Sequence, residues 1–347
     1  MKKQLLFLLF IAGIVMSCNK TAANANNIPP PVVIPADTVK NFYKGADVGW
    51  LTEMESAGLK FYNNSNIQQD GMQVLKGIGM NSIRLRVWVN PTDGWCNTAD
   101  VLNKALRAKA LGMKIMIDFH YSDSWADPGK QSKPAAWITQ DFATLKQSVA
   151  THTSTVLNTL KINGIIPAWV QVGNETNDGM LWPDGKASTN MNNFAQLVNA
   201  GYNAAKSIDT SIKVIVHISN GYDNQLFRWI FDGLKNNGAK WDIIGMSLYP
   251  SSTNWASLNN QCLTNMNDMV TRYDKDVMVV EIGMNWTDAT ASNSFITDII
   301  SKVKAVNNKR GLGVFYWEPE SFKNWKGYTL GAFDNNGKPT SALNAFN

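Results

Sequence analysis

Short runs of β-branched and aromatic residues recur along the chain, separated by longer stretches in which apolar positions return every three or four residues. The first pattern fits a pleated strand; the second fits a helix buried on one face. The strand pattern appears at FYKGADVG (42 to 49), NSIRLRVW (81 to 88), MKIMIDFH (113 to 120), AWVQVGNE (168 to 175), KVIVHIS (213 to 219), WDIIGMSLY (241 to 249), DVMVVEIG (276 to 283) and LGVFYWE (312 to 318). Between the second and third runs, Asn97 is placed to cap a helix, Asp100 falls in its first turn, Val101, Leu102, Ala105, Leu106 and Ala108 form its apolar stripe, and Gly112 stops it. Strand and helix in alternation imply a parallel sheet. Eight repeats predict an α/β chain closed into a (β/α)8 TIM barrel, one domain over residues 41–347.

The N-terminus departs from this alternation. MKKQLLFLLFIAGIVMSC has a basic start and an apolar stretch of about a dozen residues, too short to remain as a membrane span and typical of a secretory signal. Its end, Val15-Met16-Ser17-Cys18, resembles a bacterial lipoprotein signal. Residues 1–17 are therefore expected to be removed. Cys18 is expected to carry acyl chains that hold the protein on the bacterial envelope, the membrane face being left open. Residues 18–40 are poor in large apolar side chains and end in a Pro-rich run, the composition of a tether.

Composition narrows the partners. The 347 residues carry a net charge of +5, of which Lys2 and Lys3 fall in the segment expected to be lost. No basic stripe or nucleic-acid motif is present, so nucleic acid is not an expected partner, and a monomer is expected. Two cysteines, Cys96 and Cys262, remain for the barrel. A disulfide between them is not deducible. Cys262 shares helical spacing with Leu258, Met266 and Met269, the pattern of a buried thiol. Thirteen tryptophans are more than a core of this size needs for packing.

In such a barrel, chemistry sits where the strands end. The strand ends deliver Asp47; Arg84 and Arg86 ahead of Trp88; Asp118 and His120; Asn174 and Glu175; His217 and then Asn220; Tyr249; Glu281; Trp317 and Glu318. Glu175 and Glu281, from the fourth and seventh strands, face each other across the mouth on this reading. Two carboxyls in an aromatic-lined groove are what glycosidic cleavage needs, one to protonate the leaving oxygen and one to attack or stabilise the anomeric carbon.

The chain resembles glycoside hydrolase family 53, the arabinogalactan endo-β-1,4-galactanases, through GADVGWL, IRLRVWVNP, DFHYSDSWADPGKQ, VQVGNET, IIGMSLYP, VVEIG and FYWEP. The resemblance implies retaining endo-hydrolysis of β-1,4-galactan, with Glu175 as acid/base and Glu281 as nucleophile. It further implies that Asn174 contacts the sugar 2-hydroxyl, that Arg86 sits beside Glu281 and keeps it ionised, and that Tyr249 orients it. Trp88, Trp125, Trp182, Trp286 and Trp317 are candidate sugar platforms. Asp47, His120, Asp123 and Asp127 are expected to bind substrate hydroxyls or brace a loop, with His120 at the substrate. His152 reads as a packing residue, and His217 as either core or site. Some bacterial relatives hold calcium in extended loops after strands seven and eight. Here those loops, MNWTDATASN and PESFKNWKGYTLGAFDNNG, are short and lack a clear acidic cluster. No metal or other cofactor is expected, calcium staying an open alternative. The rival readings are a retaining glycanase for mannan, xylan or glucan, and a surface glycan-binding protein without turnover.

Overall fold

A computed structural model describes residues 42–347. The expected signal segment, Cys18 and the expected tether lie outside the described residues. The barrel strands are β1 (Tyr43–Asp47), β2 (Ser82–Val87), β3 (Lys114–Phe119), β4 (Trp169–Val172), β5 (Lys213–Ile218), β6 (Ile243–Leu248), β7 (Asp276–Ile282) and β8 (Gly311–Trp317). Each pairs in parallel with its neighbours in sequence, and β8 pairs with β1, closing the barrel. Around it run α1 (Leu51–Ser56), α2 (Gly71–Gly77), α3 (Thr98–Ala110), α4 (Phe142–Ile162), α5 (Ala187–Ile208), α6 (Asn224–Asn236), α7 (Trp255–Tyr273) and α8 (Ala289–Lys304). The fold is the predicted (β/α)8 barrel. The Asn97 cap forms as expected, its Oδ1 accepting from Ala99 and Asp100 N–H at 2.9 and 3.0 Å. Among the described residues, no helix is long and apolar enough to cross a membrane.

Period-two alternation stacks the barrel interior in layers. The floor is apolar: Met116, Trp169, Ile215, Ile243, Met278, Val280 and Phe315 form one buried cluster. Phe315 fits because Gly45 faces it; a Cβ there would lie 2.2 Å from the ring. Two residues further along the strands, or four on β6, the same inward parity brings Asp47, Arg84, Asp118, Gln171, His217 and Ser247, all nearly or fully buried. An ionic layer thus rests on an apolar plug.

Strict alternation would put Glu281 on the opposite face of β7 from Met278 and Val280. A bulge corrects this: Met246 pairs with Val279 but Ser247 with Glu281, so β7 carries one extra residue. The bulge turns Glu281 inward, the re-aiming role that bulges play beside functional sites.

The two thiols are buried and unpaired. Cys96 Sγ lies 3.4 Å from the Gly49 carbonyl, and Cys262 Sγ 3.6 Å from Met246 Sδ.

Candidate active site

β4 ends at Val172, and the backbone then turns sharply. Gly173 takes φ 81° and Glu175 φ 45°. A non-glycine residue in that region costs on the order of 1 kcal/mol or more and persists where the surroundings fix it. Here the Ser247 hydroxyl donates to Glu175 Oε1 at 2.7 Å, and Thr176 N–H donates to the His217 carbonyl at 2.9 Å. The turn lifts Glu175, half-buried, over the ionic layer.

Glu281 is 5% exposed. Arg84 Nη1 lies 2.8 Å from its Oε1, and the Tyr249 hydroxyl donates to its Oε2 at 3.0 Å. Oxygens of the two carboxyls and a nitrogen of His217 all fall within 4.8 Å of one another. His217 is a poor cation ligand as placed, since Nδ1 faces Asn174 and Gln171 at 3.0 and 3.1 Å and Nε2 faces Ser247 at 2.6 Å. It belongs to the site rather than to the apolar core.

At that separation two anions repel by about 3 kcal/mol in an effective dielectric near 20, enough to hold otherwise equal carboxyls about two pH units apart. The surroundings decide the order. Burial, then the nearby Glu281, push Glu175 up to about 8, and among the described residues no cation contacts it. Burial also pushes Glu281 upward, but Arg84 and the Tyr249 hydroxyl favour its charged form. The pair therefore ionises first at Glu281 and keeps its proton on Glu175. Removing the Ser247 hydroxyl withdraws a donor from charged Glu175. Ser247→Ala should accordingly move the alkaline limb of kcat/KM to higher pH, by up to about one unit, in a pH-rate profile.

The arginine beside Glu281 is Arg84, not Arg86. Arg84 also reaches Asp47 at 2.6 Å, Asp118 at 2.9 Å and Asn174 Oδ1 at 2.8 Å, and those carboxylates outweigh the burial that disfavours its charge. Arg86, one layer higher on β2, pairs with Glu318 after β8. Gly49 leaves the room for it, because a Cβ there would lie 2.1 Å from Nη1. The Arg86 guanidinium carbon sits 4.5 Å from the Trp125 ring centroid and 5.3, 5.5 and 6.0 Å from those of Trp50, Trp88 and Trp317. It braces the indole wall. Glu320, near Glu318, is fully buried with no hydrogen-bond donor, and burial together with the Glu318 charge favours its neutral form.

The cavity over the two glutamates measures about 240 Å³, with Trp125, Trp317 and Tyr328 on one side, Asn174 and His120 on another, and Tyr249 at the rim. Larger concavities exist elsewhere on the surface, one of them at the strand starts, so chemistry rather than volume identifies the site. Four expected contacts are elsewhere. Asp47 is fully buried under both arginines. Trp88 is 7% exposed and packs edge-on behind Trp125 at 5.1 Å. Trp286 sits in a 3-10 turn, Trp286–Asp288, away from the cavity wall. Trp182 likewise turns away, donating its indole N–H to the Asp178 carbonyl at 2.8 Å. Asp127 lines the cavity, whereas Asp123 braces its loop by accepting from Asn90 and Ala135 N–H at 2.9 and 2.8 Å. His120 is fixed by Asp118 at Nε2, 3.0 Å, and by Ala126 N–H at Nδ1, 3.1 Å. His152 packs against the Phe119, Tyr121 and Trp137 rings. Ser247, Gln171 and Tyr328 were not anticipated as site residues: small or uncharged side chains on a strand or a long loop carry no distinguishing pattern.

A (β/α)8 barrel with two facing carboxyls of unequal proton affinity, set in an aromatic cleft, defines a glycoside hydrolase. Residues 43–346 match the model of glycosyl hydrolase family 53, and the chain belongs to that family. It is 36% identical over 309 residues to a probable arabinogalactan endo-β-1,4-galactanase A of Aspergillus fumigatus, covering 81% of this chain and 85% of the relative. A structure from a study of two fungal β-1,4-galactanases superposes with a TM-score of 0.82 at 31% identity, over 88% of this chain and 99% of that one. The family 53 catalytic domain of Ignisphaera aggregans gives 0.82 at 30% identity, over 90% and 97%.

Proposed function

We propose that the protein is a retaining endo-β-1,4-galactanase acting on galactan and type I arabinogalactan, with Glu281 as nucleophile and Glu175 as acid/base. The approach of the two carboxyls to within 4.8 Å carries this reading, since retaining enzymes hold theirs about 5 to 5.5 Å apart and inverting ones leave room for a water. Glu281 attacks the anomeric carbon as the C–O bond to the leaving sugar breaks, and the Glu175 proton passes to the departing oxygen. The ester so formed has no charge on residue 281. The repulsion that raised Glu175 then falls away, and its carboxylate takes a proton from the water that attacks the anomeric carbon and releases Glu281. Asn174 donates one amide hydrogen to the Ala126 carbonyl at 2.9 Å, leaving the other for the sugar 2-hydroxyl. Tyr249 contacts a neighbouring hydroxyl, the His120 ring lines the cavity wall, and Trp317 and Trp125 stack on pyranose faces. These steps use the chain's own side chains and no cofactor.

Purified protein should release galacto-oligosaccharides of mixed length from unbranched β-1,4-galactan early in a time course. Equal or faster turnover of mannan or xylan would transfer the reading to another glycanase. We further propose export as a monomeric lipoprotein anchored to the bacterial envelope through Cys18, supported by the signal pattern of residues 1–18. Cys18→Ala should move the protein from the membrane to the soluble fraction, and unchanged fractionation would refute the anchor.

A further inference from the structure

A second concavity, of about 620 Å³, lies where the segment after α1 meets the loop after β8. Its size falls within the roughly 300–1,000 Å³ of ligand sites. Lys60, Lys323 and Lys338 surround it with the rings of Tyr62 and Phe322 and the amide of Asn66, and no carboxylate lines it. Among the described residues, no acid pairs with these three lysines. The acids nearby are committed elsewhere. Glu53 pairs with Lys326 and Glu55 with Arg107, each at 2.6 Å, while Asp334 accepts from the backbone N–H groups of Asn336 and Lys338 at 2.8 and 3.1 Å.

The groove is also rigidly built. Tyr62 N–H donates to the Gly337 carbonyl at 2.9 Å, and Phe61 meets Phe322 edge-on at 5.8 Å. Gly337 takes φ 77°, and a Cβ there would lie 2.2 Å from the Lys60 carbonyl oxygen, so only glycine lets the two walls close. The loop that brings Lys323 and Lys338 here also carries Tyr328 to the catalytic cavity.

We propose that this groove binds carboxylate-bearing sugar units, as in a uronate-rich polysaccharide. Ammonium groups pair with carboxylates, the amide bonds hydroxyls, and the rings meet C–H faces. Such a site would keep the enzyme on an acidic main chain while the cavity cuts neutral galactan branches, a role that rests on the galactanase reading; the binding itself does not. An anionic bilayer offers charge but no sugar rings for a concave aromatic wall.

Native gels containing polygalacturonate, fully methyl-esterified pectin or neutral galactan test this. Polygalacturonate should retard the wild-type protein through the groove more than the esterified polymer does, with the retardation lost at high salt. Lys60→Glu combined with Lys338→Glu should weaken binding about tenfold, with hydrolysis of neutral galactan unchanged as proof of folding. Lys323→Glu alone should act in the same direction. Wild-type retardation in all variants would overturn the proposal. So would lysine-dependent binding to anionic phospholipid vesicles that exceeds binding to polygalacturonate. Absence of galactan hydrolysis by the wild type would instead count against the catalytic reading, leaving the binding result intact.

Discussion

Glu281→Gly should lower kcat on β-1,4-galactan by about 10⁴-fold or more, because without the carboxylate no covalent intermediate forms. The fold should survive. Arg84 keeps Asp47 and Asp118 at 2.6 and 2.9 Å, so its buried charge is not stranded. The vacated space beside Arg84 and the Tyr249 hydroxyl is an anion site. Added azide should enter it, attack from the nucleophile's side and yield an α-galactosyl azide detectable by NMR. Near wild-type turnover, or an azide product of β configuration, would assign the nucleophile elsewhere.

Glu175→Ala should show the complementary pattern. General acid catalysis is worth about 10²–10⁴-fold, so hydrolysis of galactan should fall in that range. A galactobioside with a dinitrophenol leaving group needs no proton and should still transfer its sugar to Glu281, giving a burst and then slow release. Azide should now produce the β-galactosyl azide, since it replaces the water that Glu175 activates. The alkaline limb near the Glu175 value of about 8 should vanish from the pH profile. Above about pH 8, where Glu175 would otherwise be charged beside Glu281, the substitution should leave the melting temperature unchanged or higher. A uniform loss on both substrates would mean that Glu175 is structural.

The barrel was readable because eight runs of strand period alternate with helix period, and that rhythm is a local property of the chain. The runs AWVQVGNE and FYKGADVG extend three and two residues past the strands they predict: the ladder stops at Val172 and Asp47, and Asn174 and Glu175 project from the turn beyond. Glu281 lines the cavity although alternation in DVMVVEI points it outward; the β7 bulge that reverses it depends on pairing with β6, which is absent from the sequence. Arg84 and Arg86 share one parity, so spacing does not rank them. Only the closed barrel shows that the lower one meets Glu281 while the upper one is drawn to Glu318 and the indoles. The same distinction moved Trp88 behind the wall and left Trp125 and Trp317 on it, since neighbours in space decide which aromatic faces the cavity.

The most direct test is the anomeric form of the first product, followed by ¹H NMR during the opening minutes of galactan hydrolysis. Two carboxyls this close, acting in turn on one sugar carbon, predict that β-anomer appears first and mutarotates later. Initial release of the α-anomer would require a water between them and would contradict the account.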